Sequence, residues 1–425
     1  MPIPRERARE IMDRQIGDRD PEALKRHLTT TSASDRPLPP RVPQPFRWSE
    51  DAQEARLAFL RGRNIEVPHL AGTDRPPPPE FLRGNVENYI GMAQVPVGLA
   101  GPLRINGLHA NGDFYLPLAT SEGALVASYD RGARLISLAG GAICLLTAEQ
   151  VQRAPGFVFD SLADAAHFAI WAVGEAEHFR TIAEGQSRHG RLLDMMTHVD
   201  GNHVYLIFAY HTGDAAGQNM VTVITAALCE DIVNRSPVQP RYWFLESNMS
   251  GDKKATALSF MQTRGRNVTA EALIPRRLVE RGLRTTPERM CDYWRMSFVA
   301  GVHTGSIGVS GHVANGIAAL FLACGQDMAC VSEATVGITR FEVHDGDLYC
   351  SLTLPNLIVG TVGGGTRLPT ALECLGILEC VGDGKAGRFA EICAATALAG
   401  EVSIVGALCA GEFAQAHRRL GRPIP

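Results

Sequence analysis

From Glu87 onward, the chain alternates glycine-rich, small-residue segments with stretches of helical or strand periodicity. Residues 123–138 carry apolar and small side chains at helical spacing, which predicts a helix. His203–His211 alternates as a strand does, and the turn over 213–220 leads from it into another helix. Further helices are predicted over 164–182, 310–324 and 398–420. Helices with a few strands predict an α+β fold in a chain of 425 residues, which is long enough for two or three domains.

The first 86 residues have a different texture and are expected to form an N-terminal helical arm. Charged helical patterns over 5–15 and 52–63 flank a proline-rich connector, 35–46. A second proline cluster, 76–79, ends the arm because proline cannot continue a helix.

The composition argues against several classes of protein. The chain is 45% hydrophobic with a formal net charge of −4, so neither a disordered chain nor a protein that binds nucleic acid or a membrane surface is predicted. No run approaches the ~18 uninterrupted apolar residues of a membrane span, and no apolar core of a secretory signal follows the N-terminus. The ten cysteines contain no C-x-x-C pair, so we expect reduced thiols in the cytoplasm and no metal site.

Two turns have the character of nucleotide sites. Asp214–Met220 lies where a strand ends and a helix begins, and the backbone amides of a helix start bind phosphate. The alternative is that Asp214 only caps free amides. The successive glycines Gly363–Gly365 suggest positive φ or a flat ligand against the chain, with a tight turn between packed elements as the alternative. No G-x-G-x-x-G follows a strand, so an ordinary Rossmann site is not predicted.

Charged residues in small-residue surroundings each allow a chemical and a structural interpretation. The segment 250–255 places Asp252 beside two lysines, which either bind an anion or an oxyanion or form a solvated loop. Glu122 is either a general acid whose pKa is raised by burial or a first-turn carboxylate of a helix. Asp327 is either a catalytic partner or a hydrogen bonder at a helix end. His417 is either a proton shuttle or a surface residue.

Seven segments change this picture because they occur together and in order. They resemble 3-hydroxy-3-methylglutaryl-coenzyme A (HMG-CoA) reductase of the class I type shared by eukaryotes, archaea and some bacteria, in a soluble prokaryotic-like form. The resemblance covers roughly residues 87–422. The segments that carry it are Glu87–Leu103, Pro117–Ser128, Gly213–Met220, Asp252–Lys254, Ala323–Asp327, Gly360–Thr366 and Leu398–Glu401.

The resemblance implies an NADPH-dependent, four-electron reduction of (S)-HMG-CoA to mevalonate and coenzyme A, a step of isoprenoid biosynthesis. It implies that Lys253 stabilises the oxyanion formed at the thioester carbonyl and that Glu122 protonates the aldehyde oxygen. Asp327 would sit between them and tune both. His417 would protonate the departing thiolate.

The resemblance also implies the ligand contacts. The dinucleotide would lie on both turns, and two basic positions, Arg188 and Arg422, favour NADPH over NADH. The implied cofactor residues are Ser187, Arg188, Asp214, Gly217, Gln218, Asn219, Met220, Gly363, Gly364, Gly365 and Arg422. Acyl contacts are implied for Arg153, Asp252, Lys254 and Asn315, and coenzyme A contacts for Ser128, Arg131 and Arg134.

The implied architecture is a large helical/β substrate domain, 87–154 and 257–425, with a small ferredoxin-like NADP-binding domain, 155–245, inserted in it. A connecting catalytic loop, 246–256, joins the two. The family forms homodimers or dimers of dimers with shared active sites, and 87–103 would be a dimer segment. No nucleic acid or membrane partner is implied.

Two alternatives stay open, and the first of them is supported only by a departure from the family pattern in the loop at 246–250. The family usually reads Ser-Gly-Asn-Tyr-Cys-Thr-Asp-Lys-Lys-Pro where this chain has Glu246–Ala255, in a loop that touches the acyl group. Gln218 replaces a methionine, Asp130 an asparagine and Ala416 a serine. The alternatives are a reductase of a related branched acyl-CoA in a specialised pathway and a non-catalytic member that binds coenzyme A or nucleotide.

Overall fold

The computed structural model describes residues 9, 13, 16–17, 19–32 and 34–420, apart from the side chains of His417 and Arg419. The helices are α1 (Pro21–His27), α2 (Glu50–Arg61), α3 (Leu125–Leu138), α4 (Leu162–Gly174), α5 (Ala176–Gln186), α6 (Gln218–Arg235), α7 (Arg276–Leu283), α8 (Pro287–Thr304), α9 (Val313–Ala323), α10 (Val331–Ala334), α11 (Pro369–Ile377), α12 (Ala386–Cys409) and α13 (Phe413–Leu420). The strands are β1 (Val97–Gly107), β2 (Asn111–Ala119), β3 (Ala142–Arg153), β4 (Gly156–Val158), β5 (Arg191–Asp200), β6 (His203–His211), β7 (Tyr242–Phe244), β8 (Gly265–Ile274), β9 (Ile338–His344) and β10 (Asp347–Leu357).

One strand, β3, connects two parts of a mainly antiparallel sheet. The order along the sheet is β7-β4-β6-β3-β8-β10-β9, with β1 pairing in parallel with β3, and β2 and β5 at side edges. Residues 143–150 of β3 pair with β8, and 151–153 pair with β6. Arg153 is therefore the last residue of the strand and lies at the junction between the two parts.

The segment from β4 to β7 has the order strand, helices, strand, strand, helix, strand. Its sheet order is β7-β4-β6-β5, which is a ferredoxin-like arrangement. The predicted α+β class, with a ferredoxin-like part beside a larger helical and β part, is confirmed.

Helix α12 lies at the centre of the larger part. It is 24 residues long and is apolar enough to cross a membrane, yet 83% of its most apolar window is buried inside the protein. A helix that is apolar all round is expected in the core of a large protein. The ten cysteines of the chain are unpaired thiols, nine of them buried.

Two of the predicted helices prove to be interrupted. The helix expected over 164–182 is split into α4 and α5 at Glu175, where the backbone leaves helical geometry directly after Gly174. Glycine is a poor helix former, which explains the break. The helix expected over 398–420 is likewise the end of α12 followed by α13, because Gly411 takes a left-handed conformation with φ of +70°.

The arm packs against the larger part through its proline-rich connector. Helix α2 starts after Ser49, whose hydroxyl caps the Ala52 amide, close to the predicted start at 52. From the connector, Arg41 Nη2 lies 2.8 Å from Asp130 Oδ2 of α3. The predicted helix over 5–15 falls mostly outside the described residues.

Candidate active site

A cavity of about 890 Å³ opens beside α3, between α7, the start of α9 and the end of α12. Five arginines line it against two carboxylates, so it suits a ligand that carries phosphates. The charged lining residues are Arg41, Arg131, Arg134, Arg281, Arg284, Glu122 and Asp130.

The three residues expected to contact coenzyme A all line this cavity. Arg131 is fixed by Ser403 of α12, with Nη2 donating to the carbonyl at 2.6 Å and Nε donating to Oγ at 3.0 Å. Ser128 Oγ bonds the same Ser403 Oγ at 3.0 Å. Arg134, three residues along the helix, has an exposed side chain. The structure thus brings together this part of the predicted site.

Glu122 lies at the edge of the cavity, where Asn315 Nδ2 donates to its Oε2 at 2.7 Å. Its backbone amide is capped by Thr120 Oγ1 at 2.9 Å. Glu122 is exposed in the single chain, so the burial expected for it is not found within one chain. The hydrogen bond to Asn315 instead joins a predicted acid to a predicted acyl contact.

Lys253 and Asp327 form the second predicted group. Lys253 Nζ lies 2.9 Å from Asp327 Oδ2. The hydrogen bond from Asp327 raises the pKa of Lys253 despite partial burial. Burial raises the pKa of Asp327, but the hydrogen bonds from Lys253 and the Ala329 amide outweigh it, and the pKa falls below its ordinary value. Asp327 caps the short turn 328–330, as the helix-end interpretation expects. It also pairs with Lys253, and its catalytic role stays a prediction.

A buried network of charges supports the Lys253 loop. Arg264 Nη2 donates to Asp252 Oδ1 at 2.7 Å, and Nη1 donates to both oxygens of Glu333, at 2.5 and 2.6 Å. Glu333 Oε1 also accepts from the Lys253 backbone amide at 3.2 Å. The predicted acyl residue Arg153 joins through Asp252 Oδ2 at 3.0 Å. Lys254 Nζ donates to the Asp252 carbonyl at 2.9 Å.

Sequence reasoning missed Arg264 and Glu333, although both are fully buried charges in contact with predicted residues. A signal was present for the arginine, because Arg264 and Arg266 flank a glycine at the start of an apolar strand. An arginine is almost never buried unless it is paired. No comparable signal marks Glu333.

The two predicted nucleotide turns are in contact. Ala215 and Val362 form a parallel bridge, and the Thr361 amide donates to the Asp214 carbonyl at 2.8 Å. The Asp214 carboxylate accepts from the amides of Gly384, at 2.7 Å, and Ala386, at 3.0 Å. The capping interpretation of Asp214 is therefore right in kind, but the helix it caps is α12 rather than the helix that follows it.

The surface formed by these turns fits a pyrophosphate. Helix α6 starts without a side-chain cap after Gly217, whose φ is +77° and whose missing Cβ would lie 2.4 Å from Thr212 Cγ2. Gly363 and Gly364 have φ of +75° and +54°, with no atom within 4 Å of an added Cβ. Free amides at a helix start beside an open glycine surface are what a dinucleotide phosphate requires. Gly365, by contrast, packs closely on the Gly325 carbonyl.

The remaining cofactor residues are distributed more widely. Gln218 starts α6, but its side chain accepts from Arg264 Nη2 at 2.7 Å and so belongs to the buried network. Asn219 is exposed, and Met220 packs against the core. Ser187 Oγ accepts from the Gly190 amide at 2.9 Å, next to the exposed Arg188. Arg422 lies outside the described residues, as does the side chain of His417, whose helix α13 borders the cavity.

The predicted catalytic residues and their neighbours fall into two groups within one chain. Glu122 and Asn315 border the basic cavity, whereas Lys253 and Asp327 belong with the buried network. Among the described residues, the side-chain hydrogen bond of Glu122 is to Asn315, and none joins it to Lys253 or Asp327. The expectation that Asp327 sits between Glu122 and Lys253 is therefore not met within a single chain.

An open glycine surface beside an uncapped helix start, together with a separate basic cavity, is the arrangement expected of an oxidoreductase that binds a dinucleotide and a coenzyme A thioester. A family model described as hydroxymethylglutaryl-coenzyme A reductase matches residues 52–422. The chain is 42% identical to the 3-hydroxy-3-methylglutaryl-coenzyme A reductase of Pyrococcus abyssi over 86% of this chain and 91% of the relative. It is 45% identical to that of Aeropyrum pernix, over 81% and 83%. The chain belongs to the hydroxymethylglutaryl-coenzyme A reductase family.

Two further comparisons bear on subtype and fold. Identity to the 3-hydroxy-3-methylglutaryl-coenzyme A reductase 1 of Oryza sativa is 36%, over 86% of this chain and 70% of the relative. The solved structure of the class II enzyme of Streptococcus pneumoniae bound to NADPH aligns with a TM-score of 0.68 and 20% identity, covering 85% of this chain and 97% of that one. This second likeness supports the fold.

Proposed function

We propose that this chain catalyses the NADPH-dependent, four-electron reduction of HMG-CoA to mevalonate and coenzyme A. One HMG-CoA, two NADPH and two protons give mevalonate, coenzyme A and two NADP⁺. The observation that carries the proposal is the Lys253–Asp327 pair, joined through the Lys253 amide to the buried network that contains Arg153. Identity of 40–45% to several archaeal reductases over most of the chain supports the same reaction.

Lys253 supplies the positive charge that stabilises the thioester oxygen as it becomes an alkoxide. Its pKa is raised by Asp327, so the ammonium persists well above neutral pH. Asp327, ionised because its own pKa is lowered, holds Nζ in place. NADPH, when bound, supplies the hydride in each of the two reduction steps.

Two acids complete the proton transfers. Glu122, oriented by Asn315, protonates the aldehyde oxygen in the second reduction. His417 of α13 protonates the coenzyme A thiolate, which otherwise adds back to the aldehyde. The cavity lies along α13, with Phe413, Ala416 and Leu420 in its lining, which supports this assignment.

The cofactor binds on the uncapped start of α6 and the open face of Gly363 and Gly364. Arg188, exposed beside the Ser187 turn, is the described residue that meets the 2′-phosphate and favours NADPH over NADH. Coenzyme A lies in the basic cavity with its phosphates toward the arginines of α3 and α7.

The active enzyme is a homodimer, or a dimer of dimers, whose sites are shared between two copies. The division of the catalytic residues into two groups supports this arrangement, because neither group is sufficient for the reaction. Segment 87–103 carries apolar side chains that are exposed in the single chain, including Ile90, Met92 and Val95. Exposed apolar residues that are contiguous along a segment are typical of a protein interface.

The subtype, compartment and domain boundaries are further parts of the proposal. Identity to the archaeal and rice enzymes is about twice that to the class II enzyme, which supports class I. The unpaired thiols support a reducing cytoplasm. The ferredoxin-like order of β4–β7 supports a small domain at 155–245, with 87–154 and 257–425 as the large domain, 246–256 as the connecting loop and 1–86 as the arm.

The test is nicotinamide absorbance with purified protein, HMG-CoA, and NADPH or NADH in parallel. Consumption of two NADPH per free thiol released would support the full reduction. Intact NADPH binding without turnover, unchanged in Lys253→Ala, would instead support a non-catalytic ligand-binding member of the family.

A further inference from the structure

Glu246 pairs with part of the guanidinium group of Arg153, the residue that the family resemblance places in contact with the acyl chain. Arg153 Nη1 donates to Glu246 Oε2 and to Asp252 Oδ2, each at 3.0 Å. An Nη atom carries two hydrogens, so both hydrogens of Nη1 are already used. Arg153 is 8% exposed, and Glu246 is 24% exposed. The pair therefore lies at the inner end of the site rather than on the surface.

The remaining hydrogens of Arg153 offer little to an incoming carboxylate. Its Nε is buried and has no hydrogen-bond partner, and Nη2 makes one long contact, 3.5 Å to Gln218 Oε1. A strong arginine–carboxylate pair is bidentate and uses two neighbouring nitrogens. Since Nη1 is occupied and Nε is enclosed, Nη2 alone is left for a ligand.

Glu246 is not a mobile side chain that a substrate simply displaces. Its Oε1 accepts from the Asn248 amide at 2.7 Å, and its Oε2 accepts from Ser250 Oγ at 3.0 Å in addition to Arg153. The Ala154 amide lies 3.4 Å from the same Oε2. These bonds fix the carboxylate within its own loop, so its charge stays beside Arg153 when a ligand enters.

The charge balance of the network also disfavours binding of a further carboxylate. Two guanidinium groups, Arg153 and Arg264, face three carboxylates, Glu246, Asp252 and Glu333. A further carboxylate would add like charge to a poorly hydrated cluster, where such contacts are costly. Lys254 offers a nearby ammonium, but a flexible point charge gives less selectivity than a bidentate guanidinium.

We propose that Glu246 is a specificity-determining residue that occupies Arg153 and shifts the preferred acyl group from one that ends in a carboxylate toward one that ends in an uncharged group. The inference rests on the proposed function and on the acyl contact that the family resemblance implies for Arg153, which we place at the carboxylate of the acyl group. The enzyme then reduces a branched 3-hydroxyacyl-CoA without a distal carboxylate in addition to HMG-CoA. The balance is unchanged: one thioester, two NADPH and two protons give the primary alcohol, coenzyme A and two NADP⁺.

The experiment compares HMG-CoA with 3-hydroxy-3-methylbutyryl-CoA, which differs from it by loss of the distal carboxylate. Wild type is expected to reduce both thioesters. Glu246→Gln removes the charge at nearly constant volume and is expected to lower KM for HMG-CoA about tenfold, the size expected when one like-charge contact is relieved, with little change in kcat. Both constants for the neutral thioester should stay within about twofold, because no carboxylate of that substrate meets Glu246.

A matched control and a second variant keep the result interpretable. Glu175→Gln removes a carboxylate that pairs with Arg235 in the ferredoxin-like part, and it should leave both KM values unchanged. Glu246→Ser tests the same idea if the glutamine variant does not fold. Reduction of HMG-CoA by wild type with an unchanged ratio of the two kcat/KM values in the variants would overturn this inference alone. Failure of wild type to reduce either thioester would overturn the proposed function and this inference with it.

Discussion

Lys253 carries the central positive charge of the proposed reaction, and its backbone lies in the left-handed region with φ of +56°. We expect Lys253→Ala to lower kcat by about 10²–10³, the usual loss when one donor to a developing oxyanion is removed. NADPH binding should persist, because the hydrogen bonds and ion pairs of Lys253 within the described part of the chain go to Glu333 and Asp327 and not to the nucleotide turns. Steady-state kinetics and a fluorescence titration of NADPH measure the two quantities. Lys25→Ala, in the arm, is the control, and equal losses in the two variants would contradict the assignment.

Asp327 should control the alkaline limit of activity. It raises the pKa of Lys253 through a hydrogen bond, so the ammonium survives to higher pH than an ordinary lysine. In Asp327→Asn this support is lost, and activity should fall at a lower pH as Lys253 deprotonates. The measurement is the pH dependence of kcat/KM for both proteins. Asp292→Asn removes an exposed ion pair with Arg295 and should leave the profile unchanged; an unmoved alkaline limb in Asp327→Asn would contradict the pairing.

At this scale, sequence reasoning identified residues better than it identified their contacts. Lys253 and Asp327, 74 positions apart, were paired through the family resemblance and are ion-paired in the structure. Glu333 was missed because its role comes from burial beside other charges, which no local pattern reveals. Arg264 was missed although the Arg-Gly-Arg start of an apolar strand marked it. Glu246 was noticed as a departure from the family loop, but its contact with Arg153 depends on how the loop folds back against β3.

Among the secondary-structure elements, the clearest test of a stabilising contact is at a helix terminus, where Asp214 acts as a cap. Its carboxylate caps the start of α12 through the amides of Gly384 and Ala386. We expect Asp214→Ala to lower the free energy of unfolding by about 1 kcal/mol, the usual loss for a removed N-cap. Thermal or urea unfolding measures it. Asp383→Ala, beside the same amides and exposed, should be near neutral; equal stability of the two variants would argue against capping.

The open glycine loop supports a separate prediction about the cofactor. Gly364→Ala introduces a side chain at φ of +54° with no atom within 4 Å, so its cost to the fold is that of a left-handed alanine, roughly 1 kcal/mol. If the dinucleotide lies on this surface, its Kd should rise about tenfold, which corresponds to about 1.4 kcal/mol. Gly201→Ala has matching geometry, φ of +58° and open space, on the β5–β6 turn. Equal NADPH affinity in both variants would place the cofactor elsewhere.

Periodicity predicted the position of elements well and their interruptions poorly. Strand β6 has the predicted bounds, and α3 starts two residues after the predicted start. The breaks at Glu175 and Gly411 were missed because the apolar spacing continues across them. A single backbone change at one residue ends each helix there, and periodicity over a long window averages such a change away.

For the whole molecule, the division of catalytic residues predicts complementation between two inactive variants. If sites are shared, co-expressed Lys253→Ala and Glu122→Gln chains form mixed dimers in which one of the two sites is intact. Random pairing should then restore about a quarter of wild-type activity. The assay is NADPH oxidation by the unselected mixture of dimers, and a different tag on each chain verifies that mixed dimers have formed. Co-expression of Lys253→Ala with Asp327→Asn is the control, because both substitutions lie in the same group of residues and mixed dimers should show no restored activity. If the Lys253→Ala and Glu122→Gln pair also restored no activity, the full site would lie within one chain.

Helix α12 also fixes the distance between the nucleotide turn and the coenzyme cavity within one chain. Its start is held by Asp214 of the nucleotide turn, and 17 residues later Ser403 holds Arg131 of the coenzyme cavity, a separation of roughly 25 Å along a rigid rod. A buried helix of this length cannot shorten to bring its two ends together. Within one chain the nucleotide turn and the coenzyme cavity therefore stay apart, and a second copy of the chain can bring its own cavity to the nucleotide turn without any deformation of the helix.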